Sequence, residues 1–449
     1  MIVLLGGSFP ASPQNANQIE PTARFAVESE VEWHGLRLNA SVISHTRVLW
    51  HPEHEPLLRS LEAALIEHTQ SIESQVKALA ELETHRDEVI AWLGARIGLD
   101  DPSQTAGEQV FTSMLDLYRE MNASLARATV VLIPRQEAIR LLGEGVTIVG
   151  FARSSDGQEL WMELDEKDLV ELSEMVLPLR LDNADTVNKP TTVFRALRGF
   201  DMWPGVLLHE TAEFMILARA IPKSRQPNLR WFSDGMANAL AIRGLTHFGH
   251  DAFADRFESK WRDDAKNVDP TKAYLAYWLN TQYTPVFNSY YEQRLTSARY
   301  ALATVLCDEL LESIGEQAAR KILDAYLARP DRSVFLLDAV RDVGGEAAAE
   351  RVLSYQPTQN RDELLAIHEA LLEQAYRERN LLIAERHLMR FIELDVAHPK
   401  NRYFDLMVQL AKLIEETQGR IAAEQMLTAA QSNLLGLGMS EEAVAALRL

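Results

Sequence analysis

His209, Glu210 and Glu213 are the residues whose types and spacing point most directly to chemistry in this 449-residue chain. In a helix, positions i and i+4 share a face, so the His209 imidazole and the Glu213 carboxylate would stand one above the other. Glu210 would lie about 100° round the axis from His209, able to overhang a site formed by its neighbours. Asp234 follows 21 residues after Glu213, far enough on for a loop and the start of a second helix. One imidazole and two converging carboxylates can hold a divalent cation, and a cation so held acidifies water and polarises a carbonyl. Glu210 would then be placed to act as general base. The same residues also fit a helix whose histidine and glutamate only hydrogen-bond their neighbours.

The elements around these residues are legible. Pro204-Gly205 closes what precedes, Val206-Leu207-Leu208 runs apolar into His209, and Phe214-Met215-Ile216-Leu217 follows Glu213. A polar group set in so apolar a helix is costly unless paired or metal-bound. Pro222 to Asn228 supply a loop, because Pro222 and Pro227 cannot sit inside a helix. Trp231 to Ala241 then reads as a second helix, carrying Asp234 and, one turn on, Asn238. Asn238 is expected to orient the second ring nitrogen of His209.

His209-Glu210-Thr211-Ala212-Glu213, the gap, and Trp231-Phe232-Ser233-Asp234-Gly235-Met236-Ala237 together resemble the H-E-x-x-H and W-x-x-E-G-x-A elements of gluzincin metallopeptidases, most closely the peptidase-MA-like group. The resemblance covers residues 128–330 and departs at two ligand positions, Glu for His and Asp for Glu. It implies a zincin-like α+β catalytic domain with a small mixed sheet. It also implies metal ligands His209, Glu213 and Asp234, a general base Glu210, and an oxyanion-steadying residue at Tyr300, a role Tyr290 or Tyr291 could also fill. Zn2+ is the implied ion, and an oxygen-rich donor set extends the choice to Mn2+ or Mg2+. The implied substrate is a peptide or protein, held along a sheet edge. A catalytically retired site, kept as a scaffold that binds proteins through its cleft, is the alternative.

Four regions follow: a tail over 1–20, a hairpin and helical region over 21–127, the zincin-like region over 128–330 and a helical region over 331–449. Met1 to Ser8 are similar to a clipped secretion signal without a basic start, so the compartment is left open between cytoplasmic and exported. Residues 22–50 read as a hairpin turning at His34-Gly35. Leu57 to Leu99 and 107–127 carry helical periodicity, predicting a long helical pair before the catalytic region. Strands are expected at 128–134, 146–153 and 159–164, with a turn at Ser154-Ser155-Asp156-Gly157, helices at 135–142 and 165–175, and a polar loop at 182–190. The aromatic residues Tyr274, Tyr277, Trp278, Tyr283, Phe287, Tyr290 and Tyr291 are expected to pack in the core. His247 and His250 are expected to face solvent, and remain spare imidazoles if Glu213 is no ligand.

Beyond Pro330, Gly344-Gly345 breaks the chain. Leu372, Ala375, Ala384, Leu388 and Phe391 are then answered 39 residues later by Ala411, Ile414, Ala423, Leu427 and Ala430. That offset suggests two helix hairpins similar to tetratricopeptide repeats, a surface for a protein partner, with a plain helical bundle as the other reading. The chain is 47% hydrophobic and 24% charged, with formal net charge −20, which argues against nucleic acid as a partner. No apolar run approaches the roughly 18 residues of a membrane span. The single cysteine, Cys307, excludes an intrachain disulfide and is expected in the core.

Overall fold

The β-formers of residues 22–50 condense into three strands rather than the expected two. In a computed structural model of the chain, β1 (Ser29–Trp33) and β2 (Leu36–Ile43) turn at Gly35, whose φ of +78° suits the position, and β3 (Thr46–Trp50) pairs antiparallel with β2. The structure describes residues 27–33, 35–43, 46–52, 55–99, 104–127, 129–133, 148–153, 159–163, 202–220, 229–266, 268–278, 290–329, 336–395, 401–436 and 441–445. The expected tail, the helices at 135–142 and 165–175, the turn at 154–157, the loop at 182–190, the loop at 222–228, Tyr283 and Phe287 lie outside these residues. Described residues fall into two compact units, one drawn from 1–85 and 111–207, the other from 86–110 and 208–449. Among the described residues the fold is predominantly helical with one six-stranded sheet.

The sheet belongs to the first unit. Strands β4 (Thr129–Ile133), β5 (Ile148–Arg153) and β6 (Glu159–Glu163) complete it in the order β1-β2-β3-β4-β6-β5. The β3–β4 pair is parallel, with Arg47 opposite Thr129 and Trp50 opposite Leu132, and every other pairing is antiparallel. The early hairpin and the later strands, expected in separate regions, are therefore one sheet. Leu38 and Leu49 are buried on one face and Val48 and Trp50 on the other, where the Trp50 indole donates to the buried Ser41 hydroxyl at 3.1 Å and satisfies it.

The long helical pattern resolves into α1 (Glu55–Thr84) and α2 (Arg86–Ile97), with α3 (Gln104–Arg127) following. On α1, Ile72, Leu79 and Leu82 are buried as their periodicity suggests, but Val76 is 37% exposed and Gln75 is fully buried in its place. The reason is polar. The Gln75 side-chain carbonyl accepts from the Trp203 backbone N–H at 3.0 Å, one of the amides that the start of a helix leaves without a partner. That helix is α4 (Trp203–Ala220), whose Trp203 also stacks on Tyr118 at 5.1 Å.

The second unit is built around α5 (Arg230–His247), in which every residue from Trp231 to Ile242 is buried, as befits a helix enclosed on all sides. It packs most extensively on α7 (Tyr290–Ile314), and also on α6 (Asp251–Lys266) and α2. Two 3-10 turns, Pro270–Lys272 and Leu275–Tyr277, join α6 to α7 and carry Tyr274, Tyr277 and Trp278 into the core, as expected. Next come α8 (Ala318–Ala328) and α9 (Leu336–Leu353); Gly345, at φ +79°, breaks α9 where the glycine pair predicted.

Helices α10 (Arg361–Arg377), α11 (Leu381–Asp395), α12 (Asn401–Gln418) and α13 (Arg420–Gly436) pack in sequential pairs, α10 on α11 and α12 on α13, before the short α14 (Glu441–Val444). All ten small and large apolar positions that recur at the 39-residue offset are buried. The first pair is tied together and to the rest of the unit through polar groups. The Arg299 guanidinium forks onto the Glu393 carboxylate at 2.6 and 2.7 Å, and His368 meets the Tyr274 hydroxyl at 2.9 Å and His387 at 3.1 Å. Among the described residues no helix is long and apolar enough to cross a membrane.

Candidate metal centre

Burial and helix period together build the site in the second unit. On α4, Leu207, Leu208, Ala212, Met215 and Ile216 are fully buried, which fixes the rotation of the helix and turns His209 and Glu213 to one side. The His209 Nε2 lies 3.6 Å from the Glu213 carboxylate, an ion-pair distance too long for a hydrogen bond. From α5, Asp234, 2% exposed, completes the group: one donor atom each from His209, Glu213 and Asp234 lie within 4.8 Å of one another. The three residues expected to share an ion are thus brought together.

Arg230, which sequence reasoning passed over, is the fourth member. Its Nε stands 3.3 Å from Asp234 Oδ2, one helical turn away, yet neither atom makes a hydrogen bond. The guanidinium donates instead to the Tyr300 hydroxyl, and its Cζ lies 5.1 Å from the Trp278 ring centroid and 5.5 Å from that of Tyr300. A basic residue four positions before an acid on a buried helix was the available signal. Tyr300 therefore borders the cluster, held by Arg230 and edge-on to Trp278 at 5.0 Å.

Two expectations are corrected. Asn238 does not orient His209: its side-chain amide donates to Thr304 at 2.8 Å, and Thr304 in turn donates to the Tyr300 carbonyl. The His209 Nδ1 is buried without a hydrogen-bond partner. His250 is buried rather than solvent-facing, whereas His247 is exposed and stacks on Trp92 at 5.5 Å; neither joins the cluster. Cys307 is buried, as expected, and burial pushes its thiol far up.

Close packing sets the position of Asp234. The next residue, Gly235, lies so near α7 that an added Cβ would stand 2.4 Å from the Ala303 carbonyl oxygen and 2.9 Å from Cys307 Sγ. Only glycine permits this approach.

Convergence of like charges in a buried place shifts every ionisable group. Burial pulls the His209 pKa down, but Glu213, Glu210 and Asp234 outweigh it and raise it to about 9. Burial, reinforced by the Glu213 charge, raises Asp234 to about 7 against the pull of Arg230 and His209. Burial likewise pushes Glu210 up. Glu213 goes the other way: burial would raise it, but His209 and Arg230 hold it below the usual carboxylate range. Tyr300 is raised by burial and by Asp234.

The donor set fits a divalent ion. Ligand atoms around a tetrahedral zinc stand roughly 3.4 Å apart, given bonds of about 2.1 Å, so atoms within 4.8 Å need to close by at most about 1.4 Å. One imidazole and two carboxylates are donors suited to zinc or manganese. Comparison with known protein families, curated proteins and solved structures finds no match for this chain.

Proposed function

We propose that the chain is a divalent-metal-dependent hydrolase of peptide bonds with a gluzincin-like centre. The observation that carries this reading is the convergence of His209, Glu213 and Asp234 donor atoms within 4.8 Å, with the half-buried Glu210 next to His209 on the same helix. His209, Glu213 and Asp234 would hold Zn2+ or Mn2+, which when bound supplies the positive charge that acidifies water and polarises a carbonyl. Glu210 takes a proton from the attacking water and returns it to the departing amide nitrogen. The Tyr300 hydroxyl accepts from Arg230, which leaves its own proton free to steady a developing oxyanion. A catalytically silent scaffold that binds proteins is the second reading, favoured by the Arg230–Asp234 pair, since a cation supplied by the chain itself partly answers the acidic cluster. On either reading the paired helices α10–α13, with Ile367 and Ile421 exposed, offer a face to a protein partner.

The test is metal content followed by activity. Purified protein is expected to carry close to one equivalent of zinc or manganese, lost in Glu213→Ala. Glu210→Gln is expected to keep the metal and to lose peptide hydrolysis by about 100-fold or more. Protein that takes up no metal at neutral pH, or Glu210→Gln as active as wild type, defeats the hydrolase reading.

A further inference from the structure

We propose that Arg230 is a built-in counter-cation of the acidic cluster, which assembles the site before a metal arrives and sets how tightly the metal is then held. The inference rests on the metal-binding reading above and concerns the regulation of that same site. Two carboxylates, of the half-buried Glu213 and the buried Asp234, and the His209 imidazole meet within 4.8 Å, with the half-buried Glu210 next to His209 in the chain, and like charges so confined repel strongly. Arg230, whose side chain is 12% exposed, is the cation facing Asp234, at 3.3 Å.

The pairing is loose in a particular way. The Arg230 Nε and Asp234 Oδ2 are both buried and neither makes a hydrogen bond, so the two groups balance charge without forming the parallel fork that a structural arginine–carboxylate pair adopts. On its other side the guanidinium is anchored, donating to the Tyr300 hydroxyl and lying beside the Trp278–Tyr300 ring pair, 5.1 and 5.5 Å from the two centroids. Asp234 can therefore turn toward a metal while Arg230 stays where it is. A carboxylate has two oxygens and can face both cations, but the charge repulsion between them remains. Every metal ion that binds does so against a fixed positive neighbour. The arginine weakens the site for metal while stabilising its ion-free form.

Full-length wild type, Arg230→Gln and Arg230→Lys, each stripped of metal, are titrated with Zn2+ against a chelating indicator, and their thermal midpoints are recorded with and without Zn2+. Arg230→Gln is expected to bind Zn2+ at least about tenfold more tightly than wild type, and Arg230→Lys, which keeps the charge, to stay within about threefold. The ion-free Arg230→Gln protein is expected to melt lower than wild type and to gain more on adding Zn2+. Zn2+ binding by wild type that is unchanged or weakened in Arg230→Gln overturns the inference alone. Failure of both proteins to bind one equivalent of Zn2+ overturns the metal reading beneath it. If Arg230→Gln folds only when Zn2+ is supplied, the inference is upheld; if it fails to fold with or without Zn2+, Arg230 is a structural residue and the inference is lost.

Discussion

Gly235→Ala tests whether the close approach of α5 to α7 positions the acidic cluster. Alanine is favoured over glycine inside a helix by about 1 kcal/mol, so from α5 alone the substitution should stabilise. Against this, the new Cβ would meet the Ala303 carbonyl oxygen at 2.4 Å, its carbon at 2.7 Å and Cys307 Sγ at 2.9 Å. The first two contacts are backbone, which no rotamer change relieves, so the helices must part by close to 1 Å. Overpacking of this kind costs about 1–3 kcal/mol, occasionally more, and an immovable carbonyl places this case at the upper end. The net is a loss of about 2 kcal/mol. Calorimetry should show the melting transition several degrees lower, since each kcal/mol is worth about 2–4 °C in domains of ~150–250 residues. Zn2+ affinity should fall as well, because Asp234 is the adjacent residue. Gly235→Ala/Cys307→Ala should recover little, since the nearest obstacle is the carbonyl and not the sulfur. Gly235→Ala as stable as wild type, or more so, would refute the argument by showing that helix propensity outweighs the clash.

The remaining predictions concern the polar groups that fix α10 and α11 to the rest of their unit. Burial lowers the pKa of His368 and of His387 from 6.5 to about 4, with the facing His387 and the Arg386 charge respectively adding to it. A folded-state pKa below the unfolded value means that stability is complete above about pH 6.5 and is lost as pH falls toward 4. For His368, 5% exposed, the shift is worth about 3 kcal/mol at ~1.4 kcal/mol per unit. Urea midpoints measured from pH 7.5 to 4.5 should fall, and His387→Gln should flatten that slope; an unchanged slope would rule the pair out as the cause. Arg299→Met should cost about 3–5 kcal/mol, because the Glu393 carboxylate, 3% exposed, loses its fork partner and keeps only Arg390. Denaturation should register that loss while Zn2+ binding stays at the wild-type level, and a variant as stable as wild type would show that the fork contributes nothing.

The parts of the site that were legible in the sequence are those governed by local geometry. Helix period alone places His209 over Glu213, and the apolar residues around them set the rotation of α4. The ten buried positions at a 39-residue offset follow from the same rule applied twice. What escaped depends on contacts between distant elements. Asn238 sits on the expected face of α5, but α7 offers it the Thr304 hydroxyl, a partner no periodicity on α5 could reveal. The parallel pairing of β3 with β4 joins strands separated by all of α1, α2 and α3, and Gln75 displaces Val76 from the interior only because the first amide of α4 needs an acceptor. Gly235 was visible as part of a motif, while the reason for it lay in the Ala303 carbonyl.

Two arginine–carboxylate pairs in the second unit make the strongest case that the cluster exists for something besides stability. Arg299 and Glu393 are each 3% exposed and form a two-pronged fork at 2.6 and 2.7 Å, with Arg299 Nε also donating to the Ala273 carbonyl at 2.6 Å. That pair has the geometry that folding alone rewards, since burying charges is tolerable only when their hydrogen-bonding capacity is met. Arg230 and Asp234 are nearly as buried, at 12% and 2%, yet they face each other off-axis at 3.3 Å and leave an N–H and a carboxylate oxygen unbonded, beside a His209 Nδ1 in the same condition. The unit is able to build the better geometry, as α7 and α11 demonstrate. Unsatisfied buried polar atoms occur elsewhere in the chain, at Gln356 and Trp261 for example, but here three of them, on Arg230, Asp234 and His209, belong to charged groups of one cluster, and departures from self-consistency of this kind concentrate at functional sites. An added cation would satisfy the oxygens, whereas a two-pronged Arg230–Asp234 fork would compete with it for Asp234.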